Sequence, residues 1–251
     1  MLIEPTMDKL VALKLPGMIA ALQTWLDTPN RQQMKPTDLV GMLADAEWLH
    51  RENRKLTTRL RQARFRHTAC VEDIDYRHPR GLNKALMQEL ASSRWVAHHQ
   101  AVILTGKTGT GKSYLACALG QKACRDGFGV LYKRTSRLFD ELAQARADGT
   151  YLTVLRRIAK ASVLVLDDFG LERLGAPERR ALLDVLEDRY NVSSTILTSQ
   201  LEPDQWHAII GDETVADSIC DRLVHSAHRI KLDGDSIRKT RSPLHKESKT
   251  S

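Results

Sequence analysis

No uninterrupted apolar stretch in the chain approaches the roughly 20 residues that a membrane-spanning helix needs. The longest near the middle is Val163 to Leu166. The N-terminus carries Glu4, Pro5, Asp8 and Lys9 where the apolar part of a secretory signal would have to lie, so a cytoplasmic protein with no membrane partner is expected. Cysteine is sparse: Cys70, Cys117, Cys124 and Cys220 show neither a Cys-x-x-Cys pair nor zinc-ligand spacing, which excludes a disulfide framework and suits reduced thiols. The histidines, His98-His99 and His225 with His228 among them, have no cysteine or acidic partner at metal spacing. Acid is the other scarcity. From Arg51 to Arg66 a single acid, Glu52, stands among seven cations, and the whole chain of 251 residues carries a net charge of +7. That excess favours a polyanionic partner, with nucleic acid the obvious candidate.

The most informative stretch is Gly106-Lys107-Thr108-Gly109-Thr110-Gly111-Lys112-Ser113, a glycine followed by four residues and then Gly-Lys-Ser. An apolar run, Ala101 to Thr105, precedes it as a buried parallel strand would, and Tyr114 to Arg125 is a good helix former. Strand, loop and helix arrive in the order that a phosphate-binding loop requires. Its backbone N–H groups can turn inward around a polyphosphate while the helix directs the positive end of its dipole at the anion. Lys112 is expected to reach the β- and γ-phosphates of ATP, and Ser113 to bind Mg²⁺.

Ser162 to Leu166 reads as a second buried strand, and it ends in Asp167-Asp168, two carboxylates at the tip of an apolar element. This is a Walker B pattern. Asp167 is expected to hold Mg²⁺ across from Ser113, and Asp168 to orient the attacking water. A strand at Val130 to Tyr132, another at Thr195 to Gln200 and a last one at His228 to Leu232 complete the reading, with helices between them. Strand ends in open parallel sheets face the ligand crevice, so Thr198, Ser199 or Gln200 is placed near the γ-phosphate.

Residues before about 70 lack strand-like alternation and break at Pro16-Gly17 and between Pro29 and Pro36, giving three helices. Along the third, Leu49, Leu56, Leu60 and Ala63 share a narrow apolar face. Arg51, Arg54, Lys55, Arg59, Arg61, Arg64 and Arg66 spread largely over the other side. Cations without interleaved acids repel one another, and contact with the phosphate backbone of double-stranded DNA is the expected reason for them. The domain reading is a helical unit for DNA binding and assembly at 1–75, a nucleotide domain at 76–241 and a basic, disordered tail at 242–251.

The phosphate loop, Leu164 to Gly170, Leu197 to Gln200, Asp221-Arg222-Leu223-Val224-His225 and Gly234 to Lys239 together closely resemble IstB-type transposition helper ATPases. The likeness extends to Leu13 to Met18 and covers nearly the whole chain. It implies an α/β fold of the AAA+ P-loop class, a mostly parallel sheet flanked by helices, with a small all-α N-terminal domain. It further implies ATP hydrolysis stimulated by DNA, an ATP-dependent homo-oligomer and a transposase as partner. The related DnaC helicase loaders give the alternative function. By the resemblance Gln200 is the sensor of the γ-phosphate, Arg222 the finger that completes a neighbour's site, and Arg238 a weaker match to a second sensor. One departure is that Asp168 stands where glutamate is commonest in the wider class; its reach is one methylene shorter, which implies slow hydrolysis suited to a switch.

Overall fold

The computed structural model describes residues 3–29 and 34–237. Contacts divide the chain into two compact units, Met1–Thr58 and Arg59–Ser251. The division falls inside a helix rather than in the segment around residue 75 that follows it.

The first unit contains α1 (Ile3–Ala12), α2 (Pro16–Asp27) and most of α3 (Pro36–Ala63). Pro16 opens α2, where its missing N–H is no loss. Leu15 gives that helix no side-chain cap, and Glu47 of α3 caps it instead. The carboxylate accepts from the N–H of Gly17 at 2.8 Å and of Met18 at 3.3 Å, which places negative charge at the helix N-terminus. Such close approach needs the glycine, since a Cβ on Gly17 would lie 2.5 Å from the carbonyl oxygen of Ala46. Burial pushes the Glu47 carboxyl up, but the hydrogen bonds from Arg51, Met18 and Gly17 outweigh it and hold the group below its ordinary value.

Among the described residues the second unit is built on five parallel strands: β1 (Ala101–Gly106), β2 (Val130–Arg134), β3 (Val163–Phe169), β4 (Ser194–Ser199) and β5 (Ala227–Leu232), in the order β2-β3-β4-β1-β5. The helices are α4 (Lys84–Leu90), α5 (Arg94–Ala97), α6 (Lys112–Arg125), α7 (Thr135–Ala147), α8 (Tyr151–Ala159), α9 (Ala176–Glu187), α10 (Trp206–Ile210) and α11 (Glu213–Val224). Apolar runs suit the central strands because helices cover both faces of such a sheet; Val102, Ile103, Leu104, Val163, Leu164, Val165, Leu166, Ile196 and Leu197 are fully buried. One core joins β3 and β4 to α7, α9, α10 and α11, with Phe169 and Trp206 meeting edge to face at 5.1 Å. This is the α/β P-loop architecture expected, and the long connections return every strand in the same direction, so all five C-terminal ends share one side.

Candidate functional site

The glycine-rich loop leaves β1 at Gly106 and enters α6 at Lys112, with Gly111 in the left-handed region at φ +98°. Lys112 is buried, and its ammonium donates to the carbonyl oxygens of Gly106 at 2.6 Å and Lys107 at 2.9 Å. Above the loop lies a cavity of about 770 Å³, a size that suits a nucleotide. The loop contributes Thr108, Gly109, Gly111, Lys112 and Ser113, the strand ends contribute Asp168 and Gln200, and the chain between α3 and α4 contributes His67, Asp73, Asp75, His78 and Arg80. The N-terminus of α6 reaches this space through Lys112 and Ser113, and the positive end of the helix dipole there favours a phosphate anion.

Asp167, fully buried two residues before the end of β3, is held by three hydroxyls. Ser113 Oγ donates to Oδ1 at 2.8 Å, Thr198 Oγ1 to the same atom at 2.6 Å, and Tyr132 Oη to Oδ2 at 2.5 Å. A carboxylate removed from water needs such donors, and here they fix its orientation as well. Burial, followed by the bond to Asp167, drives the Tyr132 phenol well above its usual range, so it stays a donor at every physiological pH. Ser113 and Asp167 form a pair of adjacent hard oxygen ligands, the chemistry that suits Mg²⁺. No group of three or more His, Cys, Asp and Glu able to hold a metal is found among the described residues.

Asp168 sits at φ +61°, where a side chain other than glycine is strained, and the β3–β4 register shifts between Leu166 and Phe169. The irregularity turns two successive carboxylates out of strict alternation. Asp168 N–H donates to Thr198 Oγ1 at 3.0 Å, while its Oδ2 lies 3.0 Å from Arg134 Nη2 and 3.5 Å from Arg66 Nη1. Thr198 therefore bridges both aspartates. Gln200 follows β4 directly, exposed at the cavity rim. Lys112, Ser113, Asp167, Asp168 and Gln200 are thus brought to one place.

Arg222 is not brought there. It lies on α11 beside His99, Ala101, Ser193 and Thr195, at the N-terminal ends of β1 and β4, the opposite end of the sheet from the loop. Its guanidinium donates to Glu187 at 2.6 Å and to the Ser218 carbonyl at 2.8 Å. Arg238, expected at the nucleotide, and the tail expected at 242–251 lie outside the described residues.

The seven basic residues also separate. Helix α3 ends at Ala63, so Arg64, at φ +55°, and Arg66 lie beyond it. Arg51 pairs with Glu47 at 2.7 Å and Lys55 with Glu52 at 2.8 Å. Arg59 donates to the Cys124 carbonyl at 3.4 Å. Arg54, Arg61 and Arg64 are exposed and form no ion pair with other described residues. Arg66 turns to the Walker B carboxylates.

Tyr132, Arg134 and Arg80 were not singled out by sequence reasoning. The two former stand at alternate positions of β2, and a signal existed: polar side chains near the end of a strand that pairs with the Asp167 strand, in a register that sets Arg134 opposite Asp167.

Comparison with known proteins shows the family of the chain. The family described as IstB-like ATP binding protein matches residues 8–244. An insertion sequence ATP-binding protein of Sinorhizobium fredii is 48% identical over 239 residues, 95% of this chain and 98% of the relative. An ATP-binding protein in an insertion sequence of Mycobacterium tuberculosis is 34% identical over 237 residues, 94% of each. Among solved structures, DnaI superposes with a TM-score of 0.56 at 24% identity, over 66% of this chain and 92% of that one. The DnaC helicase loader gives 0.54 at 21%, over 66% and 97%. At these identities the two structures speak to the fold.

Proposed function

The chain belongs to the family of IstB-like ATP-binding proteins, ATPases of the AAA+ class, and from that premise we propose that it is the DNA-binding helper of a transposon, assembling on double-stranded DNA with ATP and directing or stimulating its transposase. The observation that carries the reading is the 2.8 Å hydrogen bond between Ser113 and Asp167, which joins the phosphate loop to the Walker B strand beneath a nucleotide-sized cavity. The names of the relatives, which place them in insertion sequences, support the transposon setting. Exposed Arg54, Arg61 and Arg64 support the DNA contact.

In this reading the loop N–H groups and Lys112 bind the phosphates of ATP. Ser113 and Asp167 would hold Mg²⁺, which neutralises charge on the β- and γ-phosphates when bound. Asp168 orients the attacking water, and Gln200 contacts the γ-phosphate from the end of β4. Arg222 acts on the site of a second copy, since it stands at the far end of its own sheet. Such a finger stabilises charge that develops on the transferred phosphoryl group.

The test is the mass of the particle formed by the full chain with duplex DNA, by analytical ultracentrifugation, in ATP and without nucleotide. Growth to a large species only with ATP and DNA together supports the helper reading. A monomer under all conditions contradicts it.

A further inference from the structure

Arg80 is 3% exposed, and an arginine so deeply buried must have its charge answered by specific partners. Its Nη1 donates to the carbonyl oxygen of Thr110 at 3.0 Å and its Nη2 to that of Asp75 at 3.1 Å. Thr110 belongs to the phosphate loop and is itself fully buried, with its hydroxyl donating to the Lys107 carbonyl at 2.9 Å. A trans peptide holds its C=O and the following N–H on opposite sides. By holding the Thr110 oxygen, Arg80 also fixes the direction of the Gly111 N–H on the opposite side of the same peptide. The same guanidinium fills the space beside Gly111: a Cβ there would lie 2.4 Å from Nη1, so the glycine serves this contact as well as its own φ of +98°.

The arginine is anchored in turn. Its carbonyl accepts from Asp233 N–H at 3.0 Å, just past β5, and the neighbouring His78 Nε2 lies 3.3 Å from the Asp235 carbonyl oxygen. Two residues further on, Ile237 N–H donates to the Gly109 carbonyl at 3.0 Å. The loop is therefore held at two consecutive carbonyls, those of Gly109 and Thr110, by segments that are tied to each other.

We propose that Arg80 is a positioning residue for nucleotide binding, presetting the Thr110–Gly111 peptide so that its N–H meets a phosphate shared by ATP and ADP. The inference rests on the ATP-binding reading of this cavity. Donors aimed before the ligand arrives need no reorganisation when it binds, and that is where the affinity comes from.

The experiment measures ATP and ADP affinities with Mg²⁺ by calorimetry, together with KM and kcat, for Arg80→Met and Arg80→Lys in the full chain. Arg80→Met removes every donor at similar volume. Arg80→Lys keeps the cation but cannot span the Thr110 and Asp75 carbonyls with a planar fork. Both variants should bind ATP and ADP about 10- to 100-fold more weakly, by equal factors for the two nucleotides, as expected from loss of a charge-assisted hydrogen bond. KM should rise by that factor while kcat falls less. Thermal unfolding shows whether each variant is folded. Wild-type affinity in folded variants, or a loss confined to ATP, overturns the proposal. So does the absence of cooperative unfolding in both variants, which makes Arg80 a determinant of folding instead. Lys112→Ala separates this outcome from failure of the underlying reading: if that variant also binds nucleotide normally, the cavity is not the ATP site.

Discussion

Arg66 Nη1 stands 3.5 Å from Asp168 Oδ2 and 3.8 Å from Asp167 Oδ2, so the last cation of the basic run faces the Walker B carboxylates. A residue that the pattern of charge groups with the DNA contacts has a different partner in three dimensions. Arg66→Ala should therefore leave the salt dependence of DNA affinity unchanged. ATP turnover should fall by roughly 3- to 10-fold, because a misplaced carboxylate no longer holds its water in line. A flattened salt slope with normal turnover would assign Arg66 to DNA.

The exposed members of the run behave oppositely. Each phosphate neutralised releases counterions, so replacing Arg54, Arg61 and Arg64 together with alanine should flatten the slope of log affinity against log salt by about 2 to 3. DNA binding titrated across a salt series checks this, and an unchanged slope would mean that these side chains form only a solvated face. Arg51 and Lys55, paired with Glu47 and Glu52, should contribute less.

Thr198 touches both aspartates, donating to Asp167 and accepting from the N–H of Asp168. Thr198→Val keeps shape and burial but leaves those groups short of a partner, which should cost about 1–3 kcal/mol of stability. Turnover should fall more than ATP affinity. Denaturant unfolding and steady-state kinetics measure the two effects, and a rise in KM with kcat unchanged would place Thr198 in simple binding.

The sequence was most legible where chemistry and chain order coincide. Gly106 to Ser113 announces itself because a phosphate loop needs its glycines, lysine and hydroxyl at fixed spacing between a strand and a helix. Asp167-Asp168 stands out because carboxylates are foreign to an apolar strand. Arg80 carried no such signal and Tyr132 only its place on the strand beside Asp167, since their roles arise from contacts to Thr110 and Asp167 across long sequence separations. At the end of the basic run the pattern is silent on placement for a related reason: helical periodicity describes a face only while the helix lasts, and α3 stops at Ala63.

In the N-terminal unit, Glu47 supplies a prediction in pH. Its folded pKa lies below the ordinary value of 4.5, so the stability it contributes is present above about pH 4.5 and is lost as pH falls through the lowered folded value. Glu47→Gln should speed amide exchange at Gly17 and Met18 at neutral pH and remove their acid sensitivity. Exchange at these two amides that is the same in both proteins across the titration would show that the carboxylate does not cap α2.

The central claim is an ATP site completed by a second copy on DNA, and phosphate release from mixed variants tests it most directly. Arg222→Ala keeps its own loop and Walker B residues; Lys112→Ala keeps its finger. Each alone, with duplex DNA and Mg²⁺, should hydrolyse ATP at a small fraction of the wild-type rate, given that such fingers contribute roughly 10³-fold or more. Mixed in equal amounts, with ultracentrifugation establishing that joint particles form, they should recover activity well above the sum of the two. Activity that stays at that sum in joint particles, with Arg222→Ala alone hydrolysing at the wild-type rate, would contradict the account.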